Sequence, residues 1–451
     1  MQVLSSHCLT HPGCEYDLTT TLLSVKIRFS FHTFLARVRT PDDLHESVRE
    51  EVARTYVERR HYHFGYAYAI LSKEYNYASV TILKMPKFIP GLKLCELFYQ
   101  NRVRPILDEE FPNLRYSAAV IGWGSEVLEF DTAISRDHHW GPRLLLFLTP
   151  QGYSKLNHKI CQSLSNKLPY EFMGYSTSFS KPKPNGVRHA VKITRRPVNH
   201  MVQIFTLKSF FEARLKFDPS KKVEVTDWLT FPQQRLLELV SGKVYYDGLG
   251  ELRKIRKKLE FYPRDVWLYL LAAQWTKISQ EEAFVGRTGD VGDELGSQVV
   301  AGRLVREIMK LAFLMERHYA PYSKWFGTAF AKLEISNKLT PVLRHVLLAK
   351  TWKTRERKLG QAYSIVARRH NALKITKPLP TKVTKYYGRP YLVIHGDAFA
   401  SCIREAIRDP RVKSITPNVG SIDQFIDSTD VLQQLSVVRR LGVVYKQLDD
   451  N

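Results

Sequence analysis

A change of hydrophobic period near Asp227 constrains the fold of this chain more than any other feature of its sequence. Upstream, short apolar runs alternate with loops: YSAAVIGW at 116–123, LLLFLT at 144–149 and HMVQIFTL at 200–207, with an amphipathic stretch at 153–167 between the last two. Apolar runs of about four to eight residues bounded by turn residues read as strands. Downstream the spacing is helical through PQQRLLELVSG, LGELRKIRKKLEF and DVWLYLLAAQWTKISQEEAF. The longest helix is expected over Asp293–Tyr319, with Leu295, Val299, Gly302, Val305, Ile308, Ala312, Met315 and Tyr319 on one stripe. Asp227 suits a helix cap and Gly242 a stop. Strands followed by a run of helices predict an α+β protein. The expected domains are a mixed-sheet domain over 87–227, a helical bundle over 228–370 and a small mixed region over 371–451, where YLVIH reads as a strand and Asp397 as a cap. Residues 1–86 stand apart, with one amphipathic stretch at Leu44–Val57, and the functional fold is expected to begin near Met85.

Composition enters through charge. A chain of 451 residues with 44% apolar content can bury a sizeable core, which excludes a mostly disordered or collagen-like class. Its five cysteines (Cys8, Cys14, Cys95, Cys161, Cys402) have no framework spacing and point to a reducing, cytoplasmic compartment. No apolar run approaches the ~18 residues of a membrane span, so no membrane partner is expected. His7, Cys8, His11 and Cys14 are metal-capable, but their spacing fits no zinc site. The net charge of +24 is concentrated. Residues 181–222 hold eleven basic and two acidic residues, and residues 341–390 thirteen basic and one acidic, whereas 1–84 are nearly balanced. Clustered positive charge attracts polyanions such as nucleoside triphosphates and nucleic acid.

One loop carries recognisable chemistry. Gly122, Trp123, Gly124 and Ser125 follow an apolar strand, and Asp137 stands twelve residues beyond Ser125, ahead of the next strand. A Gly-Ser turn at a strand end presents N–H groups and a hydroxyl to phosphate oxygens. A nearby carboxylate can hold a divalent ion against the same phosphates.

The segment GWGSEVLEFDTAISRDHHWGPRLLLFL resembles the Gly-Ser plus Asp-x-Asp signature of the nucleotidyltransferase superfamily, to which DNA polymerase beta and kanamycin nucleotidyltransferase belong. More closely, the chain is similar to a bacterial and fungal nucleotidyltransferase-like family of unknown function. That similarity runs from about Phe88 to Leu448 through FIPGLKLCELFY, WLTFPQQRLLELVSG, QEEAFVGRTGDVGDELGS, YAPYSKWFGTAF and SIDQFIDSTDVL. The resemblance implies that Gly124 and Ser125 embrace a triphosphate and that Asp137 binds Mg²⁺ or Mn²⁺. The superfamily's second carboxylate falls at His139, and the strand at 200–207 offers only Gln203 for the third. By analogy with kanamycin nucleotidyltransferase, Glu281 or Glu282 is the expected base at the acceptor hydroxyl. Arg143, Arg303, Arg306 and Lys324 are candidate phosphate ligands, with ion pairing as the alternative for each, to Asp137 for Arg143 and to Glu294 or Glu307 for the others. The expected activity is transfer of a nucleoside monophosphate from a nucleoside triphosphate to a hydroxyl of a small molecule or RNA, releasing pyrophosphate. The alternative is a catalytically degenerate nucleotide- or RNA-binding protein of the same fold.

Overall fold

A computed structural model describes residues 23–27, 67–70, 78–82, 88–135, 139–184 and 186–445. The candidate groups at His7–Cys14, Leu44–Val57 and Asp137 therefore lie outside the described residues. Strands β1 (Leu23–Ile27), β2 (Ala67–Ile70) and β3 (Ala78–Ile82) form an antiparallel sheet in the order β1-β3-β2, where the sequence shows no lasting strand period.

The described residues among 89–172 and 176–445 form a second compact unit, with an α+β architecture. It opens with α1 (Gly91–Phe98), which continues through a π-helical turn at Tyr99–Val103 into α2 (Arg104–Glu110). Strand β4 (Tyr116–Val120) is buried along its whole length, and β5 (Arg143–Leu148) leads into α3 (Pro150–Lys167), capped by the Thr149 hydroxyl. Strand β6 (Met201–Thr206) runs into α4 (Leu207–Leu215) through a Thr206/Ser209 capping box. Helices α5 (Val225–Thr230) and α6 (Gln233–Val240) follow, then strand β7 (Lys243–Asp247). The sheet order is β6-β5-β4-β7, with β5 and β6 parallel and the other pairs antiparallel. Continuous apolar sequence in β4 and β5 matches their burial on both faces.

Two expectations are corrected at this junction. Asp227 occupies the third position of α5, where it completes a capping box with Glu224 and pairs with Arg439. The fourth strand, β7, comes from beyond Asp227, so the sheet recruits a segment that the periodicity assigns to the bundle. Gly242 has φ +73°, and a Cβ there would lie 2.2 Å from the Val120 carbonyl oxygen, so only glycine fits this close return to β4.

The helical part comprises α7 (Leu252–Lys258), α8 (Arg264–Glu281), α9 (Phe284–Asp290), α10 (Glu294–Met315), α11 (Ser323–Phe330), α12 (Ser336–Leu348) and α13 (Trp352–Ala372). Helix α8 is buried continuously from Val266 to Trp275, as expected for a helix that is apolar all round. Helix α10 departs from the expected stripe in its first two turns: Leu295 and Val299 are exposed, and Ser297 and Ala301 face inward. The Ser297 hydroxyl donates to the Val285 carbonyl at 2.9 Å and accepts from Arg355 at 2.7 Å, so polar stitching to neighbouring helices sets the inward face there. A hairpin of β8 (Thr384–Tyr386) and β9 (Arg389–Val393) precedes α14 (Gly396–Glu405), whose cap is His395, with Asp397 in the first turn. Short helices α15 (Pro410–Lys413) and α16 (Ile422–Phe425) return the chain to the core. One hydrophobic core extends from Ala119 and Phe147 in the sheet to Leu270, Ile308 and Tyr363 in the helices. Among the described residues no helix is long and apolar enough to cross a membrane.

Candidate functional site

The Gly-Ser turn forms where β4 ends. Gly122 (φ +86°) and Gly124 (φ +126°) adopt backbone conformations that L side chains rarely enter, and the Gly122 N–H donates to the Glu238 carbonyl of α6 at 2.8 Å. A Cβ on Gly124 would lie 2.5 Å from Glu126 Oε2 and 2.7 Å from Arg143 Nη2. These two side chains form a buried ion pair: Arg143 Nε donates to Glu126 Oε1 at 2.6 Å, and Nη2 donates to the Trp123 carbonyl at 2.5 Å. Arg143, expected at the triphosphate, is instead the brace beneath the turn, because its guanidinium is consumed by Glu126 and a backbone carbonyl. On the other side, Arg214 stacks on the Trp123 ring at 3.7 Å. Burial lowers its guanidinium to about 9, which leaves it charged at neutral pH.

The turn opens onto a cavity of about 740 Å³. One wall is Trp123, Gly124, Ser125, Ser135 and His139. The Ser125 hydroxyl donates to the Ser135 carbonyl at 3.0 Å, and the His139 ring meets the Trp123 ring edge-on at 6.1 Å. His139 sits at φ +55° in the loop ahead of β5.

Another part of the lining is built by amide stitching. Gln233 Oε1 accepts from the Ala320 N–H and Gln234 Oε1 from the Tyr322 N–H, both at 3.0 Å, which fixes the chain that carries Lys324 and Trp325. The Gln233 N–H donates to Asp423 at 3.0 Å. Burial pushes the Asp423 carboxyl up to about 6, against that hydrogen bond and nearby Lys310. On α10, Arg306 pairs with Asp427 at 2.7 Å, while Lys310 donates to the Asp423 carbonyl at 3.1 Å and has its ammonium pulled below the usual range by burial. Lys324 lies over the Trp325 ring at 4.9 Å.

The cavity thus gathers Gly124, Ser125, His139, Arg306 and Lys324 of the expected residues. Three others lie elsewhere. Glu281 and Arg303 pair with each other at 2.7 Å, and neither lines the cavity. Glu282 is buried and accepts from the Ile394 N–H at 2.6 Å and the Gly396 N–H at 3.1 Å, so it anchors the junction of β9 with α14. Its carboxyl is pushed up to about 7 by burial. The expectation of a base at 281 or 282 fails because both carboxylates are spent on structure. Gln203 does not line the cavity either. Lys310, Gln233, Gln234 and Asp423 escaped the sequence reading, although Lys310 follows Arg306 by one helical turn and Asp423 stands within SIDQFIDSTD. Among the described residues no group of three or more His, Cys, Asp or Glu side chains comes together for a metal.

Residues 228–326 match the family model of Domain of unknown function (DUF4037). No curated protein matches the chain. The DUF4037 segment spans the stitched wall, from Pro232 to Phe326, and the cations Arg306, Lys310 and Lys324. The Gly-Ser turn and Asp423–Asp427 reach the cavity from outside it on either side in sequence. Neither basic block contributes a lining residue.

Proposed function

We propose that the cavity binds a nucleoside triphosphate and that the protein is a nucleotidyltransferase-like enzyme, transferring a nucleoside monophosphate to a hydroxyl acceptor with release of pyrophosphate. The observation that carries this reading is the position of the Gly122–Ser125 turn, which opens from a central strand onto the same cavity as Arg306, Lys310 and Lys324. A Gly-Ser turn and three cations lining one cavity suit a bound polyphosphate. In the reaction the acceptor oxygen would attack the α-phosphorus in line with the departing pyrophosphate, and Arg306 and Lys324 would offset charge on the leaving group. With Glu281 and Glu282 elsewhere, the described lining groups that can take the hydroxyl proton are the carboxylates Asp423, Glu238 and Asp427 and the His139 imidazole.

The expected Mg²⁺ or Mn²⁺ at Asp137 and His139 belongs to this proposal. The described donors on that wall, an imidazole and a hydroxyl already given to Ser135, do not by themselves fit Mg²⁺, which prefers several hard oxygen ligands. Asp137 would have to supply the carboxylate.

Binding without turnover is the second reading, favoured by His139 in place of a carboxylate. Thermal stabilisation by a panel of ribonucleoside triphosphates with Mg²⁺ or Mn²⁺ tests the binding step, and release of labelled pyrophosphate tests the reaction. Pyrophosphate release that disappears in Asp137→Ala supports the enzyme. Binding without release under any acceptor or metal supports the binder, and no stabilisation by any triphosphate defeats both.

A further inference from the structure

The larger basic block lies away from the cavity and has a surface of its own. Of the thirteen basic residues between 341 and 390, only Arg355 and Arg369 pair with an acid among the described residues. Their neighbours on α13 are placed differently. Lys353, Arg357 and Arg368 are all exposed, and their spacing puts them on one side of the helix along about 22 Å. The β8–β9 hairpin packs beside this stripe: Glu356 accepts from the Leu392 N–H at 3.1 Å, and Gly360 leaves room for Val383. Glu356 and Gly360 flank Arg357 on the helix. At the hairpin tip Tyr387 is 73% exposed, between exposed Lys385 and Arg389, and its ring lies 4.9 Å from that of Tyr386.

We propose that helix α13 and the β8–β9 hairpin form a binding site for single-stranded nucleic acid, separate from the cavity. Cations without acidic partners supply the sequence-independent attraction to a phosphate backbone, and released counterions make it salt-dependent. Exposed Tyr387, set between Lys385 and Arg389, offers a stacking face to unpaired bases. A duplex has no such bases to offer.

The site is independent of nucleotide transfer, and its test is a binding measurement on the full chain. A labelled short single-stranded RNA, the DNA of the same sequence, the corresponding duplex and phosphatidylserine vesicles are titrated across a salt series. We expect the single strands to bind more tightly than the duplex, and the RNA and DNA arms to show whether the sugar matters. The triple variant K353Q/R357Q/R368Q should reduce the slope of log affinity against log salt by about 2. Tyr387→Ala should weaken binding about tenfold while largely keeping the slope. The variant K181Q/K183Q/K192Q removes as much charge from the other basic block and should change neither. Unchanged melting temperatures establish that these surface variants fold. The proposal is overturned if the triple variant binds as wild type does, if the block at 181–192 carries the affinity, or if vesicles bind and single strands do not.

Discussion

Around the cavity, Arg306 is matched by Asp427, Arg235 by Glu238, and Lys310 by Glu307 and the Asp423 carbonyl, with exposed Lys324 over the Trp325 ring as the exception, whereas on α13 Lys353, Arg357 and Arg368 have no acidic partner among the described residues. The two regions use positive charge differently. Half-buried cations must be paired or hydrogen-bonded to offset desolvation, so they are locked into the fold and point in fixed directions. Exposed cations carry no such cost and remain available to a mobile polyanion. A net charge therefore says little about a site until its partners are known.

The contrast can be broken at several places. The largest effect is expected at the brace under the Gly-Ser turn: Glu126→Ala leaves the buried Arg143 uncompensated and should cost about 3–5 kcal/mol, read from urea midpoints. Next comes Arg355, which is buried on the same helix as the exposed stripe and donates to Glu294, Ser297 and the Ala349 carbonyl. Arg355→Ala should cost about 2–4 kcal/mol by the same measurement. Glu282 adds a pH dependence. Its folded carboxyl titrates near 7 against an ordinary 4.5, so the folded state keeps a proton that the unfolded chain releases between those values. The contribution is fully present below about pH 4.5 and is lost as pH rises through 7, by at most about 3 kcal/mol. Melting temperatures from pH 5 to 8 should fall in the wild type and fall less in Glu282→Gln. The smallest effect is expected at Arg357, where Arg357→Gln should change stability by less than about 0.5 kcal/mol.

How much of this was legible in the sequence varies with the range of the interaction. The strands at 143–148 and 201–206 and the Gly-Ser turn are local features, set by apolar runs and by glycines that accept positive φ, and they stand where the pattern puts them. Strand β7 was hidden because KVYYD is too short to show a period between two helices, and its pairing with β4 spans over a hundred residues. Arg143 looked available because nothing in the sequence reveals Glu126 folded beneath it. Leu295 and Val299 looked inward because periodicity cannot register that Arg355 draws the Ser297 face toward α13 instead. The carboxylates at 281 and 282 were identifiable as carboxylates but not as partners of Arg303 and of the N–H groups of Ile394 and Gly396. The basic blocks were visible from their counts, and only the structure separates them from the cavity.

The division of labour between the two regions is tested most directly by titrating a nucleoside triphosphate into three proteins: wild type, the cavity variant R306Q/K324Q and the α13 variant K353Q/R357Q/R368Q. We predict that wild type and the α13 variant bind with the same affinity and that the cavity variant is weakened at least tenfold. Loss of triphosphate binding in the α13 variant, with the cavity variant unaffected, would contradict the account.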